Sequence, residues 1–221
     1  MSPIVLVHGW GYDSTIWDAV RARLDPTLRV TTLDLGFYGT FGAVPPAPTF
    51  SDEPVIAVGH SLGAMWWLTQ TVIPWRRLLC INGFSRFVAG ADYGPAVAPR
   101  VLARMRERLA GNPAGVLAEF HARCGAPGPT GTPNQHRLDT GLAWLAEWDA
   151  RAALTKRSAD VFALAGTDDP IVPAAMSTAA FAALPPEHLM FVPASGQSNH
   201  VLPVTAPDVC ARWIERLAPH E

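Results

Sequence analysis

Residues 55–68 read Val-Ile-Ala-Val-Gly-His-Ser-Leu-Gly-Ala-Met-Trp-Trp-Leu. The β-branched run Val55–Val58 predicts a buried strand, and the stretch Leu62–Thr71 predicts a helix. Between them stands only Gly59-His60-Ser61-Leu62-Gly63, with no polar connecting loop. A turn that tight strains the serine backbone and brings its neighbours too close for side chains, so glycine flanks it on both sides. Such a turn holds the Ser61 hydroxyl out at the carboxyl end of a sheet, where a helix N-terminus favours developing negative charge. The competing interpretation is a structural βα turn whose serine only caps the helix.

Further short apolar runs lie at Ile4–Val7, Arg29–Leu35, Leu78–Ile81, Asp160–Ala165 and Leu189–Val192. Helical stretches are expected at Thr15–Leu24 and at Pro207–Leu217, where Val209, Trp213 and Leu217 share a face with Ile214 beside them. Strands alternating with helices predict an α/β fold, a mostly parallel sheet of about six strands covered on both sides. From Arg86 to Arg151 the strand rhythm stops. Helical periodicity appears instead in Pro99–Ala110, Ala114–Cys124 and Gln135–Trp148, separated by Gly- and Pro-rich pieces. The expected organisation is a core of residues 1–85 and 152–221 with a helical insertion, 86–151, between two strands. Pro45-Pro46-Ala47-Pro48 reads as a stiff surface loop.

The 221 residues suit a single core, and 49% hydrophobic against 16% charged residues excludes a disordered chain. A net charge of −2 excludes a general nucleic-acid binder. Three widely spaced cysteines, Cys80, Cys124 and Cys210, suit reduced thiols, and Met1-Ser2-Pro3 has no basic leader. No apolar run reaches the ~20 residues of a membrane span. The expectation is a cytoplasmic protein.

A serine hydroxyl needs a base, and the base needs a carboxylate to orient it. With this turn, the acid is expected after a later strand and the base later still. Gly166-Thr167-Asp168-Asp169-Pro170-Ile171-Val172-Pro173 follows the strand ending at Ala165, so Asp169 is the candidate acid, with Asp168 as the alternative. His200, in Ser195-Gly196-Gln197-Ser198-Asn199-His200, is the candidate base, because His188 begins a strand and His220 lies in the C-terminal tail. A tetrahedral oxyanion needs N–H donors. The Leu62 amide is one candidate, and the Trp10 amide in His8-Gly9-Trp10-Gly11 is the other. The Trp10 ring is a candidate wall for an acyl pocket. His8 is expected to brace the oxyanion loop, and His60 to be structural.

Taken together, HGWG, GHSLG, GTDDPIVP and the late histidine resemble the α/β-hydrolase superfamily over nearly the whole chain. Within it the sequence is most similar to the pimeloyl-acyl-carrier-protein methyl ester carboxylesterases of biotin synthesis. The pointers are His8–Gly11, the run Leu138-Asp139-Thr140-Gly141-Leu142-Ala143-Trp144-Leu145, and Trp148-Asp149-Ala150-Arg151. There are departures: the first strand starts at residue 4, and Asp34-Leu35-Gly36-Phe37-Tyr38-Gly39 replaces the usual Asp-x-Pro-Gly-x-Gly loop. The resemblance implies a Ser61–His200–Asp169 serine esterase with no metal or cofactor. It further implies that 86–151 is a lid, and that the ester is carried on acyl carrier protein. Arg100, Arg104 and Arg108 fall at i, i+4 and i+8, beside the stripe Val101, Met105 and Leu109, and form a candidate docking face for that acidic carrier. The alternatives are an esterase or thioesterase of small free substrates, and a lyase or binding protein of the same fold.

Overall fold

The computed structural model describes residues 2–39, 53–194 and 198–218. The Pro45–Pro48 loop and His220 lie outside them. Six strands form one sheet: β1 (Ile4–Val7), β2 (Val30–Leu33), β3 (Val55–His60), β4 (Trp75–Ile81), β5 (Val161–Gly166) and β6 (Leu189–Val192). Their order is β2-β1-β3-β4-β5-β6 and every pairing is parallel.

Parallel strands buried on both faces must be apolar throughout, and the alternating side chains divide them into two cores. Ile4, Leu6, Ile56, Val58, Leu79 and Ile81 face one core, which holds Val20 of α1 (Asp18–Arg21) and Ile214 and Leu217 of α9 (Pro207–Leu217). Val5, Val7, Ala57, Leu78 and Cys80 face the other. That second core holds Met65 and Trp67 of α2 (Leu62–Thr69) and continues into three helices between β4 and β5. Those are α3 (Pro99–Gly111), α4 (Pro113–Cys124) and α5 (Gln135–Glu147), which contribute Leu102, Leu109, Leu117, Leu138 and Leu142. The remaining short helices are α6 (Arg151–Lys156), α7 (Ala174–Ala180) and α8 (Leu202–Thr205). All three cysteines are free and buried.

Two expected helices are shorter than their sequence pattern. The predicted Thr15–Leu24 helix is a 3-10 turn, Ser14–Trp17, capped by the Asp13 carboxylate and followed by one turn of α1. α2 stops at Thr69 because Gln70 turns extended and its side-chain oxygen takes the Val72 and Ile73 amides at 2.9 and 2.8 Å. The helices α6 to α8 run four to seven residues, too short for periodicity to reveal.

The turn between β3 and α2 has almost no free space. A Cβ on Gly63 would sit 2.3 Å from the Val7 carbonyl oxygen, and one on Gly59 would sit 2.4 Å from the Ala64 backbone. Gly63→Ala therefore forces β1 and α2 apart. Overpacking of this kind costs about 1–3 kcal/mol, and the loss shows as a lowered midpoint in thermal or urea unfolding. An unchanged midpoint would mean that α2 shifts without strain.

Candidate active site

Ser61 is the residue that the tight turn strains. Its φ is +52° and its ψ −119°, conformations an L side chain adopts only when its surroundings impose them. The Ser61 amide donates to Ile81 O of β4 at 2.9 Å, which ties the turn to the neighbouring strand.

The three residues that sequence placed in three separate loops form one hydrogen-bonded line. His200 Nε2 lies 3.0 Å from Ser61 Oγ, and His200 Nδ1 lies 2.7 Å from Asp169 Oδ2. A carboxylate only accepts, so the ring proton sits on Nδ1 and the Nε2 lone pair faces the hydroxyl. The second oxygen of Asp169 accepts the Ile171 and Val172 amides, each at 2.8 Å, which fixes the carboxylate plane. All three residues are buried. Asp168, the alternative acid, turns instead toward Ser198, whose hydroxyl donates to its Oδ2 at 2.5 Å. Of the two adjacent carboxylates, Asp169 is the one that touches the histidine. His188, by contrast, bonds Val161 O at 3.0 Å and stacks on Phe162.

The loop after β1 closes one side. A Cβ on Gly9 would stand 2.9 Å from Ser61 Cβ, so the Gly9–Trp10 peptide lies against the serine. Opposite it, α2 begins at Leu62, directly after Ser61. His8 does not reach the serine. Its Nδ1–H donates to Gly9 O at 2.9 Å and its Nε2 accepts the Leu35 amide at 2.8 Å, splicing the exits of β1 and β2. His60 is likewise structural, with Nε2–H donated to His200 O at 2.8 Å. Burial, reinforced by the neighbouring His200, holds the His60 imidazole well below its ordinary pKa, so it stays neutral.

The roof comes from the inserted helices. Phe120 of α4 meets the Trp10 ring edge-on at 4.9 Å and the His200 ring at 6.4 Å. Trp10 Nε1 donates to Leu138 O of α5 at 2.8 Å, and His121 Nε2 donates to Gly11 O at 2.7 Å. Beneath this roof Ser61 faces a cavity of about 30 Å³, walled by Trp10, Met105, Phe120, Leu142 and Leu145. A larger apolar groove of about 350 Å³ continues from it, sharing Leu102, Met105, Phe120 and Ile171 and reaching Arg123.

A strained serine on a strand–helix turn, with one carboxylate and one histidine in loops that follow later strands of a parallel sheet, describes a known architecture, and the sequence model of the Alpha/beta hydrolase family matches residues 4–213. The chain belongs to the alpha/beta hydrolase family. Among its relatives, a biotin biosynthesis bifunctional protein of Cellvibrio japonicus is 33% identical over 78% of this chain, an alignment that spans 39% of that longer protein. A pimeloyl-[acyl-carrier protein] methyl ester esterase of Xanthomonas campestris is 29% identical over 88% of this chain and 87% of its own. Among solved structures, an esterase of Exiguobacterium antarcticum superimposes with a TM-score of 0.75 at 16% identity, covering 99% of this chain and 91% of that one, a likeness of fold.

In this alpha/beta hydrolase, no group of three or more metal-ligating side chains occurs among the described residues, nor a helix long and apolar enough to cross a membrane. The candidate docking arginines of α3 are all exposed, but they are not equivalent. Arg108 makes a two-pronged ion pair with Glu119 of α4. Arg104 borders a second groove between α3 and α4 together with Arg108 and Arg123, and neither Arg100 nor Arg104 has an ion-pair partner among the described residues. Sequence reasoning missed Phe120 and His121, whose only signal was their place on an amphipathic helix.

Since Ser61 is the only serine among the described residues with a histidine nitrogen at its hydroxyl, a serine-directed phosphonate is expected to label it alone. Asp169→Asn is expected to slow labelling far more than Asp168→Asn, read by peptide mass mapping over time. An adduct on Ser85 or Ser198, or the reverse ranking of the two aspartates, would contradict the observed geometry.

Proposed function

We propose that this chain is a serine carboxylesterase that hydrolyses the methyl ester of pimeloyl-acyl-carrier protein. The enzyme is an ester hydrolase. The observation that carries the mechanism is the Asp169–His200–Ser61 line, with its 2.7 and 3.0 Å contacts. Ser61 Oγ attacks the ester carbonyl as its proton passes to His200 Nε2, and Asp169 stabilises the imidazolium that forms. The tetrahedral oxyanion accepts hydrogen bonds from the Leu62 and Trp10 amides. Collapse expels methanol, which takes the proton from His200 and leaves an acyl-enzyme. Water then attacks that ester with His200 as base, and releases the free acid and Ser61.

Segment 86–151 acts as the lid of residues 1–85 and 152–221. A cavity of about 30 Å³ admits little more than a water, so acyl chains reach Ser61 when Met105 and Phe120 swing aside and join it to the groove. The names of the relatives support the carrier-bound substrate. So does the cationic outer face of α3. Arg100 and Arg104 present uncompensated charge to an acidic carrier, whereas Glu119 balances Arg108. A small free ester or thioester is the second reading, favoured by how completely the roof closes over Ser61. A binding protein has no use for the buried three-residue line.

Ser61→Ala and His200→Ala are each expected to lower kcat by roughly 10⁴ or more on any ester substrate, because such residues act as a unit. Near-normal turnover in Ser61→Ala would end the proposed mechanism. Substrate assignment rests on comparing a methyl-ester acyl carrier protein with short p-nitrophenyl esters. A preference for the short esters in kcat/KM favours the second reading.

Arg100→Glu with Arg104→Glu is expected to raise KM for the carrier-bound ester, most strongly at low salt, since exposed charges act over the ~8 Å Debye length of physiological ionic strength. Arg108→Glu alone is expected to have the smaller effect on carrier docking. Turnover of a p-nitrophenyl ester should stay within about twofold, because rim charges contribute little to a neutral ligand. Equal losses on both substrates would mark a damaged lid rather than a docking face.

A further inference from the structure

Residues 198–201 form neither helix nor strand, yet His200 among them meets two partners at once. Three consecutive carbonyls of that loop are each held by a different strand end. Ser198 O accepts the Asp168 amide at 3.2 Å, just past β5. Asn199 O accepts Asn82 Nδ2 at 2.7 Å, just past β4. His200 O accepts His60 Nε2 at 2.8 Å, the last residue of β3. The loop backbone therefore lies across the carboxyl ends of three neighbouring strands, with one donor rising from each.

Asn82 is the centre of this arrangement. Its Oδ1 accepts the Gly166 amide at 3.0 Å while its Nδ2 holds Asn199 O, so the side chain bridges the end of β5 to the histidine loop, and its backbone N–H donates to Leu164 O at 2.8 Å. It is nearly fully buried, and its φ of +46° lies in the left-handed region, which asparagine tolerates better than most residues. The loop runs so close to β5 that a Cβ on Gly166 would stand 1.9 Å from Ser198 O. A side chain with one donor and one acceptor, held in an unusual backbone conformation, is more than filler.

We propose that Asn82 is a positioning residue that sets the height and tilt of His200 over Ser61, with His60 as its partner on the next carbonyl. This rests on His200 acting as the base. Misplacing a reacting group by about 1 Å costs about 10²-fold in rate, so a clasp on the backbone next to the imidazole reaches the chemistry without touching substrate.

Two variants and a control test it. Asn82→Gly keeps the left-handed backbone accessible and removes both side-chain bonds. Asn82→Asp keeps the shape and the acceptor for Gly166 but sets an oxygen against Asn199 O. Ser85→Ala, three residues on, removes a buried bond to Ala180 O (2.9 Å) that belongs to packing alone. Both Asn82 variants are expected to lose roughly 10- to 100-fold in kcat on a small ester, with KM within about twofold. The downfield proton resonance of His200 Nδ1–H is expected to shift or broaden in both. Ser85→Ala is expected to lower the melting temperature while leaving kcat and that resonance as in the parent.

Parental kcat with an unmoved resonance in Asn82→Gly would overturn the proposal, as would a change in KM alone. Equal kcat losses in Ser85→Ala at matched loss of stability would overturn it too. If the glycine variant does not fold, the aspartate variant decides by the same readings. An inactive Ser61→Ala beside a fully active Asn82→Gly would reject the clasp and leave the esterase mechanism standing; an active Ser61→Ala would reject the mechanism itself.

Discussion

Everything at this site depends on the strained backbone of Ser61. A residue in that conformation costs of order 1–3 kcal/mol, and it persists only where its surroundings over-determine it. They do so here from three sides. The Ser61 amide is bonded to β4, Gly63 lies against the Val7 carbonyl of β1, and Gly59 lies against the backbone of Ala64. The buried face of α2, with Leu62, Met65 and Trp67, supplies the packing that offsets the strain. Three strands and one helix converge on a single hydroxyl, so its position is a property of the whole sheet.

A second consequence concerns the inserted helices. They could have lain over the site as an independent cover, but they are wired into the loop that flanks Ser61. Trp10 is bonded to α5, and Gly11 to His121 of α4 and at 3.3 Å to the Tyr38 hydroxyl. These bonds tie the inserted helices to the β1 loop. The small cavity at Ser61 and the larger groove share the side chains of Phe87, Leu102, Met105, Phe120 and Ile171. Rotating side chains costs far less than breaking hydrogen bonds to buried backbone carbonyls. Firm tethers and softer side-chain walls thus meet over Ser61.

Charge on the cover is also a matter of partners rather than of count. Along α3, Arg100, Arg104 and Arg108 look like one stripe in projection, but Arg108 is bonded in a two-pronged pair to Glu119 of α4, and Arg106, off that stripe, is bonded likewise to Asp139 of α5. These pairs clip the three helices together at their exposed rim, where each ion pair contributes modestly to stability. The outward field that remains belongs to Arg100 and Arg104, with Arg123 at the mouth of the groove donating to Pro170 O at 3.1 Å.

Much of this was legible in the sequence by itself, because it is local. Alternation of β-branched runs with helical stretches determined a parallel sheet, since a strand buried on both faces has no other composition. The glycines at 59 and 63 determined the tight turn around Ser61, since a Cβ at either would meet backbone atoms at 2.3 to 2.4 Å. Chain order then singled out His200 and a pair of aspartates. Only the tertiary structure shows that Asp169 rather than Asp168 touches the histidine, because these adjacent residues past the strand point to different partners, one to His200 and one to Ser198. It alone balanced Arg108 with Glu119, eleven residues away on another helix, and it alone brought Asn82 under Asn199, 117 residues on. Periodicity and spacing report the faces of an element; the pairing of side chains across elements depends on how the faces pack, and no local pattern records it.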